Sequence, residues 1–94
     1  MIIIAGHWQT RNAAARDAAA AAFANMVERA RKQEGCLDLS IGADPLDPQR
    51  VNIFECWRDQ QALDAWRKIA RGPKVAITQA KVSLYRTEKA EKPF

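Results

Sequence analysis

Histidine is almost missing from this chain: His7 is the only one in 94 residues. A catalytic Ser-His-Asp set has no clear candidate, and a metal site would need carboxylates alone around His7. Cysteine is equally scarce, and Cys36 and Cys56 match no zinc or redox spacing. The four glycines form no phosphate-cradling loop. A tightly bound flavin or nicotinamide is therefore not indicated, and neither a metal nor a cofactor is expected. Long apolar runs are also lacking. The stretch Ile2-Ile3-Ile4-Ala5 is far too short to span a bilayer, and without a charged segment ahead of it does not read as a signal peptide. No membrane partner is expected, and the cytoplasm is the expected location.

What is present describes one domain over residues 1–94, with a core from 2 to 87 and a charged tail from 88 to 94. Hydrophobic residues make up 48% and charged residues 28%, the usual balance of a globular chain. The net charge is +4, but the bases scatter toward helix ends and the tail. There they complement helix dipoles and form no stripe interleaved with exposed aromatics. Nucleic acid is not an expected partner, and an anionic small ligand suits this charge better.

Along the chain, Ile2 to Trp8 reads as a strand apolar at successive positions, which predicts burial on both faces. Thr10 and Asn12 offer cap chemistry before an alanine-rich helix predicted from Ala13 to Glu34. Its apolar stripe is Ala19, Ala22, Phe23, Met26, Val27 and Ala30. Gly35 ends the helix, and Cys36 to Ala43 and Arg50 to Arg58 read as two strands of a hairpin. Asp44-Pro45 and Asp47-Pro48 punctuate the turn between them. Cys36 and Cys56 fall one on each strand, as buried thiols or, alternatively, a disulfide. Asp59 is a natural N-cap for a second helix presenting Leu63, Trp66 and Ile69 or Ala70. Gly72-Pro73 stops it, and a last strand from about Ala80 has Val82, Leu84 and Tyr85 as its body.

The order β-α-β-β-α-β predicts an α+β, ferredoxin-like fold, a four-stranded antiparallel sheet with its helices on one face. Two helices cover only one face. The other, with side chains from Ile2 or Ile3, Val51 or Phe54, and Val82 or Leu84, needs a second cover. A second copy packed sheet to sheet is the economical solution, so a homodimer is expected.

Few residues can carry chemistry. His7 alone has an unperturbed pKa near neutrality and is the candidate general base, or a satisfied strand-end histidine. Three tryptophans supply large apolar walls with one polar N–H each. A cleft for a flat aromatic is drawn from Phe23, Phe54, Trp57 and Trp66, with Tyr85 presenting its hydroxyl. Core packing is the plainer role for Trp66, and core or interface packing for Trp8. Asn52 and Glu55 are polar within an otherwise apolar strand. Asn52 suits a ligand oxygen, and Glu55 an ion pair with Arg58 or Arg86, or each a structural bond.

Several of these segments together resemble the antibiotic biosynthesis monooxygenase family. They are Arg16-Asp17, Gly35-Cys36-Leu37-Asp38, Asp44-Pro45-Leu46-Asp47-Pro48 and Phe54-Glu55-x-Trp57, within a likeness running from Ile2 to about Tyr85. The resemblance implies a dimeric α+β barrel. It also implies a cofactor-independent monooxygenase acting with molecular oxygen on a quinol- or anthrone-like aromatic. His7 is then the base, His7 or Asn52 faces the substrate oxygen, and the aromatic residues form the walls. A haem-degrading branch of the family uses an asparagine on the first strand, a tryptophan in the second helix and an axial histidine after it. Trp66 fits that pattern, but His7 stands about where the asparagine belongs and no histidine follows Trp66. Alternatives on the same fold are a non-catalytic small-ligand binding module and a non-oxidative enzyme such as an isomerase.

Overall fold

The computed structural model describes residues 1–94. Its elements are β1 (Ile2–Gln9), α1 (Ala13–Ala22), α2 (Ala24–Arg31), β2 (Cys36–Ala43), β3 (Arg50–Trp57), α3 (Gln60–Ile69) and β4 (Thr78–Arg86). The strands lie in the order β2-β3-β1-β4, with every neighbouring pair antiparallel. This is the expected ferredoxin-like α+β arrangement. No helix is long and apolar enough to cross a membrane.

Successive side chains of a strand point to opposite faces, and the burial pattern of β1 follows that period. Ile2, Ile4 and Trp8 are buried beneath the helices, while Ile3, Ala5, His7 and Gln9 are only half-buried on the other face. Within one chain the helices bury one face of β1, and the burial expected of the other face depends on a second cover. Pairing partners share a face, so Val51, Ile53, Glu55 and Trp57 of β3 join the helix side, and Asn52, Phe54 and Cys56 the open side. In β4, Val82 and Leu84 fall on the helix side, and Lys81, Ser83 and Tyr85 on the open side.

The main core joins Ile2, Ile4, Leu39 and Trp57 of the sheet to Ala30, Ala62, Leu63 and Trp66 of the helices. A smaller cluster holds Trp8, Phe23 and Val51. α3 presents Leu63 and Trp66 as expected, whereas Ile69 is 52% exposed and Ala70 takes the inner place. Its N-cap is Asp59, which accepts the Ala62 N–H at 2.8 Å.

The single helix expected from Ala13 to Glu34 is divided at Phe23 and ends at Arg31. The break is mild. Phe23 keeps right-handed helical angles, and the Val27 N–H still donates to the Phe23 carbonyl at 3.0 Å. The Phe23 ring lies 5.5 Å from Trp8 at a 56° tilt, within the distance at which aromatic pairs attract. Asn12 caps α1 by accepting the Ala15 N–H at 2.8 Å.

β4 begins at Thr78, two residues before the predicted start, because of a bulge. Gln9 pairs with Thr78 and His7 with Lys81, so Gln79 and Ala80 together oppose Trp8, and Gln79 adopts a φ of 48°. Gly6 sits beside this bulge. A Cβ there would run into the Lys81 carbonyl oxygen and the Val82 Cα, both backbone atoms. Gly6→Ala is therefore expected to lower unfolding free energy by about 1–3 kcal/mol, measured by urea denaturation. Gly42→Ala, where nothing lies within 4 Å of the added carbon, serves as the control and leaves stability unchanged or slightly raised.

Candidate functional site

The turn between β2 and β3 positions the first candidate, Asn52. Proline cannot continue the ladder at Pro45 and Pro48, so side chains take over the turn's hydrogen bonds. Asp44 Oδ2 accepts the N–H groups of Leu46 and Asp47 at 3.0 and 2.8 Å, closing an Asx turn. Its Oδ1 accepts from Asn52 Nδ2 at 2.8 Å, and Arg50 Nε donates to Asn52 Oδ1 at 2.6 Å. Arg16 reaches across from α1 and donates through Nη1 to the carbonyls of Asp44 and Asp47 at 3.1 and 2.9 Å. The Asn52 amide is thus held at both ends and keeps one N–H to offer.

His7 lies between Asn52 and Lys81 in the ladder, and all three side chains leave the open face. Its Nδ1 is buried and has no hydrogen-bond partner. Phe54, 37% exposed, and Tyr85, 55% exposed, belong to the same face. A shallow depression of about 230 Å³ beside Asn52 and Phe54 is lined in part by Ser40 and Gly42. The open face therefore presents an imidazole, a fixed amide and an ammonium among aromatic side chains.

The remaining candidates are elsewhere. Trp57 and Trp66 stack under the helices with centroids 6.2 Å apart and planes at 23°, and Trp57 is fully buried. Trp57 Nε1 donates to Glu55 Oε1 at 2.9 Å, so Glu55 takes an indole N–H and pairs with neither Arg58 nor Arg86. Phe23 is committed to Trp8. The single cleft drawn from the sequence is corrected: His7, Asn52, Phe54 and Tyr85 share the open face. Phe23, Trp57 and Trp66 lie across the sheet. Sequence reasoning missed Lys81, which only the register of β4 brings beside His7, and the unsatisfied Trp8 indole N–H. No three His, Cys, Asp or Glu side chains converge at metal-binding distance. Both cysteines are free, and burial pushes their thiol pKa values up, with nearby Asp38 adding to the rise at both.

A protein-family model described as antibiotic biosynthesis monooxygenase matches residues 1–70, from β1 through α3. No curated protein matches the sequence. Among solved structures, a candidate antibiotic biosynthesis monooxygenase of Deinococcus radiodurans superposes with a TM-score of 0.73 at 20% identity, covering 100% of this chain and 99% of that one. A conserved protein of Methanosarcina mazei gives 0.70 at 17% identity, covering 93% and 92%. A candidate antibiotic biosynthesis monooxygenase of Nitrosomonas europaea gives 0.66 at 14%, covering 93% and 98%. At these identities the likeness is one of fold.

The Asp44 network has a pH signature. Hydrogen bonds from the Asp47 N–H, then the Asn52 amide and the Leu46 N–H, hold its carboxyl down at about 2 against an ordinary 3.8. A carboxylate lowered in the folded state stabilises the fold above its ordinary pKa, and that support vanishes as pH falls from 3.8 toward about 2. Asp47 and Asp59 are shifted in the same direction by their own backbone N–H partners. Asp44→Asn is expected to shrink, without abolishing, the stability lost across that pH interval, as read by thermal melts.

Proposed function

The chain belongs to the antibiotic biosynthesis monooxygenase family, and we propose that it is a cofactor-independent monooxygenase that oxidises a quinol- or anthrone-like aromatic with molecular oxygen. It acts as a cytoplasmic homodimer. The observation that carries this reading is His7, whose buried Nδ1 has no partner and whose ladder neighbour is the anchored Asn52.

In this reading His7 takes the acidic proton of the substrate, a C–H of the central ring in an anthrone or a phenolic O–H in a quinol, leaving an enolate or phenolate with carbanion character at a ring carbon. The free Asn52 N–H meets the enolate oxygen, and its anchorage by Asp44 and Arg50 means little reorganisation is needed as charge develops there. The carbanion supplies both electrons to oxygen, forming a C–O bond and then a hydroperoxide. Loss of water leaves a carbonyl, so one oxygen atom enters the product and the other leaves as water. Phe54 and Tyr85 flank the reacting ring. Phe23, Trp57 and Trp66 act from behind, keeping β1 and β3 in register by packing beneath them.

The chemistry needs a dry site, and an uncovered sheet face is wet. A second copy laid sheet to sheet removes Ile3, Phe54 and Tyr85 from water and closes the space around His7. Phe54→Glu places a charge at the centre of that contact. The wild-type chain is expected to sediment as a dimer at micromolar concentration and the variant as a monomer. A monomeric wild type overturns this assembly.

The reaction is tested by oxygen uptake with anthrone and a panel of hydroquinones, using wild type and His7→Ala. Uptake is expected to fall at least about tenfold in the variant, as loss of a positioned base requires. Undiminished uptake removes His7 as the base. No uptake, with tryptophan fluorescence quenched by the same compounds, replaces the enzyme with a binding module.

A further inference from the structure

The bulge in β4 decides which side chain faces His7. Thr78 pairs with Gln9, and plain alternation from there turns Ala80, Val82 and Leu84 to the open side. The extra residue reverses that phase, so Lys81, Ser83 and Tyr85 take the open side instead. Lys81 then stands directly opposite His7, where facing side chains leave the backbone only about 5 Å apart. Gln79 holds a φ of 48°, unusual for a residue other than glycine, so the bulge is kept at some cost.

Lys81 is exposed and forms no ion pair or side-chain hydrogen bond. The one carboxylate that the strands place on the open face is Asp38, opposite Cys56 at the far corner. At about 4.8 Å per strand and 3.3 Å per residue, it lies roughly 20 Å from Lys81, well beyond a Debye length of about 8 Å. Asp44, past Asn52, is already held by Arg50 at 3.5 Å and by the Asn52 amide. A second copy covering this face would bury an unpaired ammonium, which is costly. The imidazolium that His7 becomes in the proposed reaction would also form directly opposite a like charge, an unfavourable pair across a ladder. An anion on Lys81 relieves both penalties.

We propose that Lys81 makes the open-face site selective for an aromatic substrate that carries a carboxylate. The inference rests on the open-face site proposed above and adds a specificity residue to it. Asn52 and Lys81 flank His7 one strand to either side, so they stand about 10 Å apart. The reacting oxygen meets Asn52, the acidic proton lies over His7, and the carboxylate accepts from the Lys81 ammonium at the far end of the ring system. Lys81 touches no reacting atom. It fixes which end of the substrate faces Asn52 and offsets the charge beside His7.

The test compares 6-hydroxy-2-naphthoate with its neutral amide, 6-hydroxy-2-naphthamide, by calorimetry under nitrogen. The wild type is expected to bind the acid about tenfold more tightly, the scale of one charge-assisted hydrogen bond. Lys81→Gln brings the acid down to the affinity of the amide and leaves the amide unchanged, and Lys81→Arg restores the preference. Equal binding of acid and amide by the wild type overturns the inference, as does a preference that survives Lys81→Gln. A parallel loss of both probes in Lys81→Gln overturns it too, because the residue then serves the fold. So does binding of neither probe. Dimers weakened alike in sedimentation by Lys81→Gln and Asp38→Asn show the cation taken by the second copy, which also sinks the proposal. Oxygen uptake is not read here: a protein that oxidises anthrone yet binds acid and amide equally loses only this inference. One that prefers the acid through Lys81 but consumes no oxygen loses only the oxidation.

Discussion

β1 is the constraint on which the rest of the molecule depends. It is hydrogen-bonded on both sides, to β3 and to β4, and so fixes the register of three of the four strands. The close approach of β4 is possible because residue 6 is a glycine and the bulge at Gln79 and Ala80 absorbs the mismatch opposite Trp8. Once that register is set, the two-residue period of a strand decides which side chains meet. His7 and Trp8 are neighbours in sequence and belong to opposite surfaces of the same sheet. A one-residue slip of β1 would exchange them and expose the core.

This division separates two kinds of environment. Under the helices, Trp57 and Trp66 form a stacked layer in which the Trp57 indole N–H is met by Glu55, two residues away on the same face. Glu55 is only half-buried, so its carboxylate can bond the indole and still retain contact with water. Such a layer stabilises the fold and leaves little room for a ligand. Across the sheet, the polar groups are half-buried and the aromatics partly exposed, so function and assembly compete for the same surface. The homodimer proposed above would reconcile them, because a cover that excludes water from apolar side chains also dries the polar pair between them.

Element types and their order were legible because each rests on local chemistry. Asp59 caps α3, Gly35 takes a positive φ where α2 has ended, and Asp44 with Pro45 shapes the hairpin turn. The bend at Phe23 was not legible, because it answers to Trp8, a partner on another element. The earlier start of β4 depends on a bulge, which no periodicity signals. The larger shortfall concerned the site. Two-residue alternation was available within β1 and β3 separately, but an apolar run such as Ile2-Ile3-Ile4 conceals which phase faces the helices. Only the burial of Trp8 against Phe23 and Val51 fixes that phase, and with it the face of His7.

The two polar groups of the open face differ in a way that matches the roles proposed for them. Asn52 has both ends of its amide bonded, to Asp44 and Arg50, and these partners belong to a turn that Arg16 ties to α1. Moving it means disturbing several hydrogen bonds at once, so it serves as a fixed point. Nothing bonds His7 at Nδ1, so no hydrogen bond at that nitrogen fixes its protonation state. A fixed donor suits an oxygen whose position must stay constant while charge develops on it. A ring with an unclaimed nitrogen suits the group that must accept a proton and later release it. Under the proposed reaction, this asymmetry in hydrogen bonding suits the amide to stabilisation and the imidazole to proton transfer.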